Sequence, residues 1–229
     1  MKTIGSIGGM SWQSTAHYYA AINRETARLR GGLHSAPILL SSLDFAPIEQ
    51  MQSAGAWDKA GELLAGEARR LEAAGAEIII LATNTMHIIA PAIESATKVR
   101  FIHIADSTAD ALLEDGAQTV GLLGTRFTME MAFYKDRLKA RGLTPLTPDV
   151  DHTNLNAIIY EELCRGIVRE SSRQTYISAI ERLAAHGAEA VILGCTEIGM
   201  LIDDDVSPLP VYDTTELHAK AAVAAALKA

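Results

Sequence analysis

Ala190-Val191-Ile192-Leu193-Gly194-Cys195-Thr196-Glu197-Ile198-Gly199 carries an apolar, β-branched run into a Gly-Cys-Thr-Glu corner. That is the pattern of a buried strand ending at a functional loop. Thr196 and Glu197 can open a helix, so the Cys195 thiol is expected beside unpaired backbone N–H groups. Such a setting favours thiolate, the nucleophilic and basic form of cysteine. Taken alone, a cysteine after an apolar strand is more often a small buried hydrophobe.

The same pattern stands earlier in the chain. Gly75-Ala76-Glu77-Ile78-Ile79-Ile80-Leu81-Ala82-Thr83-Asn84-Thr85 aligns with the stretch from Gly187 to Glu197 at a constant offset of 112 residues. Leu71-Glu72-Ala73 matches Leu183-Ala184-Ala185 at that offset, and Thr3-Ile4-Gly5 resembles Thr119-Val120-Gly121 at an offset of 116. An internal repeat of about half the chain is long enough for each copy to be a βα domain rather than a solenoid unit. The expected fold is therefore α/β, with two pseudo-symmetric Rossmann-like domains. Copies facing each other would set Thr83 and Cys195 on opposite sides of one cleft.

Composition narrows the function. The chain has 229 residues, 48% hydrophobic and 5% aromatic, which is a soluble α/β balance. A formal charge of −8 argues against nucleic acid or an anionic membrane as partner, since both need a basic patch. A small anionic substrate is compatible with it. No apolar stretch is long enough to span a bilayer, and the residues after Met1 run into a strand without a signal peptide. Cys164 and Cys195 have neither disulfide-framework nor metal-ligand spacing, so no metal is expected and a reducing cytoplasm is the expected setting.

Along the chain, Lys2–Gly8 reads as a strand entering Gly8-Gly9-Met10-Ser11, and Ser14 to about Arg30 as a helix. The glycines allow close backbone approach to a ligand, and Ser11 or Ser14 can cap the helix while leaving amides for an anion. A tight turn accounts for the glycines equally well. Residues 41–47 read as a loop followed by a polar turn at Glu49–Gln52, with Gln52 at a solvated helix end or against a substrate. A helix from Met86 is expected to be cut by Pro91, and His87 reads as a satisfied structural histidine. Asn154–Gly166 reads as one helix with Cys164 packed and chemically quiet. Arg126, after the strand Thr119–Leu123 and Gly124-Thr125, reads as a surface arginine or a carboxylate partner. Domain limits are expected at 1–99 plus 210–229, and at 100–209.

Gly8-Gly9-Met10-Ser11, Thr83-Asn84-Thr85-Met86-His87 and Gly194-Cys195-Thr196-Glu197-Ile198, with the paired halves, resemble the aspartate/glutamate racemases over essentially the whole chain. The resemblance implies cofactor-independent racemisation of an acidic amino acid held between two pseudo-symmetric domains. One residue removes the Cα proton and another returns it from the opposite face. Relatives usually carry cysteine in the first motif. Thr83 here resembles the subgroup of L-aspartate/glutamate-specific racemases with a Thr/Cys pair.

Cysteine's reference pKa is about 8.5 and an alcohol's lies far higher, so Thr83 is a poor base and a better proton donor. Cys195 is thus expected to deprotonate one enantiomer, which the resemblance implies is the L form. The resemblance further assigns carboxylate binding to Met10, Ser11, Asn84, Thr85, Thr125 and Thr196. Gln52 stands where relatives bind the distal carboxylate. A lysine of relatives is replaced near Cys164. A homodimer is implied on the same ground. Two rivals share the features: a single-cysteine enzyme resembling the arylmalonate decarboxylases, and a non-catalytic protein that binds acidic amino acids.

Overall fold

The computed structural model describes residues 1–149 and 151–228. The first half of the chain runs β1 (Ile4–Gly8), α1 (Trp12–Arg30), β2 (Ile38–Ser42), α2 (Phe45–Ser53), α3 (Trp57–Ala73), β3 (Ile78–Leu81), a 3₁₀ turn Thr85–Ile89, α4 (Ala90–Ala96) and β4 (Arg100–Ile102). The second runs α5 (Ile104–Glu114), β5 (Thr119–Gly124), α6 (Arg126–Glu130), α7 (Ala132–Ala140), β6 (Thr144–Leu146), α8 (His152–Ala157), α9 (Glu170–Ala185), β7 (Ala190–Gly194), a 3₁₀ turn Thr196–Met200, β8 (Val211–Asp213) and α10 (Thr214–Leu227). Two four-stranded sheets result, ordered β2-β1-β3-β4 and β6-β5-β7-β8. Every strand pairing is parallel. The repeat read from the sequence is thus a repeat of sheet topology.

The chain divides into two compact units, Met1–Ile104 with Thr215–Ala229, and Ala105–Thr214. The crossovers lie after β4 and β8, not before them as the limits 99/100 and 209/210 would have it. Each of these strands finds its ladder partner in the sheet of its own half, β4 on β3 and β8 on β7.

The small repeated motif Leu…Gly-Ala-Glu has a definite job in each unit. Gly75 and Gly187 turn the chain out of α3 and α9 at φ +99° and +93°, a region open to glycine at little cost. The next amide bonds back into the helix, Ala76 to Leu71 at 2.9 Å and Ala188 to Leu183 at 3.0 Å. The glutamates then cap the neighbouring strand. Glu77 accepts the Thr3 amide at 2.9 Å, and Glu189 accepts those of Gln118 and Thr119 at 2.6 and 2.9 Å. The Thr119 and Gln118 amides hold the Glu189 carboxyl below its usual range.

Strands covered on both faces are apolar throughout, and β3 shows why. Ile78 and Ile80 join Tyr18, Ile22 and the α10 residues Ala222 and Val223 in one cluster. Ile79 and Leu81 join Leu64, Ala68 and Ile93 on the other side. In the second unit Val191 and Leu193 pack with Leu155, Tyr176, Ala179 and Leu183.

Three local expectations need correction, and one strand was not anticipated. Residues 45–53 form α2 rather than loop and turn, because Asp44 caps it, its Oδ1 accepting the Ala46 amide at 3.3 Å. Pro91 does not cut a helix; it stands in the first turn of α4, where its missing N–H leaves no bond unmade. The segment 154–166 is three pieces: α8, a π turn Ile158–Glu162 and a 3₁₀ turn Leu163–Arg165. Finally, β6 went unread, being three residues with Pro145 in its middle, a residue tolerated only at a sheet edge.

Candidate active site

In both sheets the chain leaves two adjacent central strands, β1 beside β3 and β5 beside β7, at the point where the strand order reverses. Ligands of open α/β sheets collect beyond the carboxyl ends of strands at such a switch point. The segments there are Gly8–Ser11 and Thr83–Thr85 in one unit, Gly124-Thr125 and Cys195–Glu197 in the other. Gly124 and Gly194 are a registered pair, so Thr125 and Cys195 each stand one residue beyond it.

Cys195 follows β7 on the same face as Val191 and Leu193, and is 9% exposed. Its Sγ donates to Glu197 Oε2 at 3.0 Å. Burial pushes the thiol well above its ordinary range; the Glu197 charge, the nearby Cys164 and the hydrogen bond to Glu197 act in the same direction. The expected thiolate is therefore not the resting form. The helix beyond Cys195 is a five-residue 3₁₀ turn, too short for a strong dipole, and the nearest charge is negative. Cys164 is half-buried and packs against the cluster that contains Cys195, in keeping with the packed, quiet cysteine read from the sequence. Burial and Glu197 push its thiol up to about 12. One carboxylate thus serves two thiols, and Glu197 is the residue whose importance the sequence reading missed. Its signal was present, a carboxylate two residues from the candidate nucleophile.

Thr83, at the matching place in the other copy, is 8% exposed. Asn84 and Thr85 beside it are buried. Gln52, expected at a solvated helix end, is instead 3% exposed and reaches the same region: its Nε2 donates to the Met86 sulfur at 3.0 Å. Its Oε1 has no hydrogen-bond partner among the described residues. Met10 packs in the cluster that contains Met86 and Ile48.

Of the two readings of the glycine loop, the contacts around it support the tight turn. A Cβ on Gly9, at φ +91°, would stand 2.1 Å from the Leu43 carbonyl oxygen, and one on Gly8 would stand 2.5 Å from Thr15 Oγ1. The space is filled by the protein itself. The Gly9 amide donates to Thr15 Oγ1 at 2.7 Å, which donates in turn to the Ser11 carbonyl at 2.9 Å. Ser11 Oγ caps α1 by accepting the Ser14 amide at 3.2 Å. Gly124 repeats the device, since a Cβ there would meet the Gly194 carbonyl oxygen and Thr128 Cβ, each at 2.9 Å. Thr125 Oγ1 lies 3.3 Å from Thr128 Oγ1 and caps α6.

Thr196, half-buried, opens the turn after Cys195. Arg126 is a surface arginine, 3.8 Å from Glu130 and stacked over Phe127. Among the described residues no group of three His, Cys, Asp or Glu side chains is placed to hold a metal ion, and no helix is long and apolar enough to cross a membrane.

Two repeated parallel α/β units carry, just past matching strands, a thiol hydrogen-bonded to a carboxylate in one and a threonine at the equivalent place in the other. The chain matches the Asp/Glu/Hydantoin racemase family over residues 7–222, and it belongs to that family. A candidate Asp/Glu racemase of known structure from Yersinia pestis is 49% identical, with 100% of both chains covered and a TM-score of 0.93. An aspartate racemase homologue from Pyrococcus horikoshii OT3 is 33% identical, again with 100% of both chains covered, at a TM-score of 0.86. The broad specificity amino-acid racemase RacX of Bacillus subtilis is 26% identical over 159 residues, 67% of this chain and 66% of RacX. The chain thus matches about two thirds of that relative's length. Family membership makes it an enzyme of the racemase type.

Proposed function

We propose that this enzyme racemises an acidic amino acid, L-aspartate or L-glutamate, without a cofactor, using Cys195 to remove the Cα proton. The hydrogen bond from Cys195 to Glu197 is the observation that carries the reading. A resting thiol cannot abstract a carbon-bound proton. A carboxylate 3.0 Å away supplies the acceptor that converts it to thiolate as the reaction begins. The proton passes from sulfur to Glu197 and the thiolate takes Cα–H, so the pair carries one negative charge before the first transfer and one after it.

Racemisation needs a donor addressing the opposite face of Cα. Thr83, the counterpart of Cys195 in the repeat, is the group assigned to it; water restores its proton, and the hydroxide so formed takes the proton left on Glu197. Because an alcohol is a far weaker acid than a thiol, Thr83 is a donor and not a base, and reaction from the D side is correspondingly slow. Backbone amides and hydroxyls at Ser11, Asn84, Thr85, Thr125 and Thr196 are the groups proposed to hold carboxylates and the enolate-like charge that develops. Gln52, with an unfilled amide oxygen, is assigned to the substrate's distal group.

The test is Cα–H exchange followed by NMR in D₂O, with each enantiomer of aspartate and glutamate supplied separately. Exchange of the L forms, abolished in Cys195→Ser, together with accumulation of D product, is the expected result. A parent protein that exchanges none of the four removes the reading and favours decarboxylation or sensing.

A further inference from the structure

We propose that His87 is the positioning residue for Thr83, a neutral imidazole that joins the two chain segments just past the end of the β3–β4 ladder. The proposal rests on the reading of Thr83 as proton donor. The ladder between these strands ends at the pair Ile80 and Ile102. Three residues further on, Thr83, which must present the hydroxyl, stands outside that ladder. His87 bridges the gap. Its Nδ1 lies 2.7 Å from the Thr83 carbonyl oxygen, and its Nε2 accepts the Ile104 amide at 3.2 Å.

These two contacts decide the tautomer. An amide N–H can only donate, so Nε2 must offer its lone pair, and a carbonyl can only accept, so Nδ1 must carry the hydrogen. The ring is therefore neutral, and a second proton would set N–H against N–H at Ile104. It is wedged by His103, edge to face at 4.5 Å between centroids, and by Phe101 at 5.7 Å. The other copy of the repeat lacks the device. At the offset that pairs Thr83 with Cys195, His87 pairs with Gly199, which has no side chain. The bridge thus belongs to the threonine half alone, the half whose weak acid gains most from exact placement, because a misplacement of about 1 Å costs on the order of 100-fold in rate.

Two substitutions divide the imidazole. In His87→Asn the amide nitrogen takes the place of Nδ1 and keeps the Thr83 bond. In His87→Gln the amide oxygen takes the place of Nε2 and keeps only the Ile104 bond. The readout is the ratio of D product to total deuterium gained at Cα from the L substrate, since exchange alone does not need Thr83. The expected result is a ratio at least about 10-fold lower in His87→Gln, with exchange little changed, and a ratio near the parent's in His87→Asn. Equal loss of exchange and product in both variants would show a merely structural histidine and overturn the proposal. Should neither variant fold, ¹⁵N NMR of the parent imidazole still tests it, because a proton on Nε2 overturns it. That measurement needs no substrate, so failure of the bridge is distinguishable from failure of the racemase reading, which shows as a parent without exchange.

Discussion

The Cys195 thiol donates to Oε2 of Glu197 at 3.0 Å, two residues along the same corner. If that carboxylate is the acceptor that generates thiolate, Glu197→Gln should separate two properties that normally move together. Replacing the carboxylate by a neutral amide lowers the thiol's pKa, because the Glu197 charge helps to hold it up. Turnover should nonetheless fall by about 10²- to 10⁴-fold, the usual size of a lost general base. Ultraviolet titration of the thiolate beside the exchange rate checks both. An unchanged rate in Glu197→Gln would remove Glu197 from the mechanism.

Thr83→Cys should make the D enantiomers substrates. The replacement sits at the end of β3 in the place that Cys195 holds after β7, and a thiol ionises several pKa units more readily than an alcohol. Deuterium uptake into D-aspartate or D-glutamate, absent or slow in the parent, should become measurable, with L-side exchange retained. If the variant exchanges L forms as before and D forms no faster, the hydroxyl's acidity is not what limits reaction from the D side.

The repeat was legible because its residues are dictated by backbone geometry. Gly75 and Gly187 must adopt positive φ, Glu77 and Glu189 must cap a neighbouring strand, and the β3 and β7 runs must be apolar on both faces. Thr83 and Cys195 were legible for the same reason, as paired positions just past those strands. The state of the thiol was not, because it depends on where the Glu197 carboxylate and Cys164 point. Gln52 was misread because nothing in Glu49–Gln52 announces the Asp44 cap that makes this segment helical and turns Gln52 inward. The glycine loop stayed open to two readings because a ligand and the protein's own Leu43 and Thr15 make the same demand for a missing Cβ.

Gly9→Ala should show that demand directly. The residue combines φ +91° with a Cβ position 2.1 Å from the Leu43 carbonyl oxygen, and a backbone atom cannot swing aside. A loss of about 3 kcal/mol or more is expected, from strain and displaced backbone together. Gly55→Ala is the control: φ is +66°, but nothing lies within 4 Å, so only the intrinsic left-handed penalty of about 1 kcal/mol applies. Urea unfolding of the two variants should therefore differ clearly. Equal losses would mean that conformation alone, and not the contact with Leu43, requires glycine at residue 9.

His218 should make stability depend on pH in the mildly acidic range. It is fully buried, its Nε2 donating to the Ile102 carbonyl at 2.8 Å and its Nδ1 accepting the Tyr18 hydroxyl at 2.9 Å. Burial lowers its pKa to about 4, with the Ile102 bond opposing. In the unfolded chain the value returns to about 6.5. Between these values the unfolded state binds the extra proton, so this contribution is complete above about pH 6.5 and is lost as pH falls towards 4. Its full size is about 3 kcal/mol, at roughly 1.36 kcal/mol per pKa unit. Carboxylates titrate in the same range, so the informative quantity is the stability of the parent minus that of His218→Gln, which keeps a donor near Ile102 and cannot ionise. That difference should shrink or reverse between about pH 7 and 4.5. A difference that stays constant across the range would show that His218 carries no proton-linked stability.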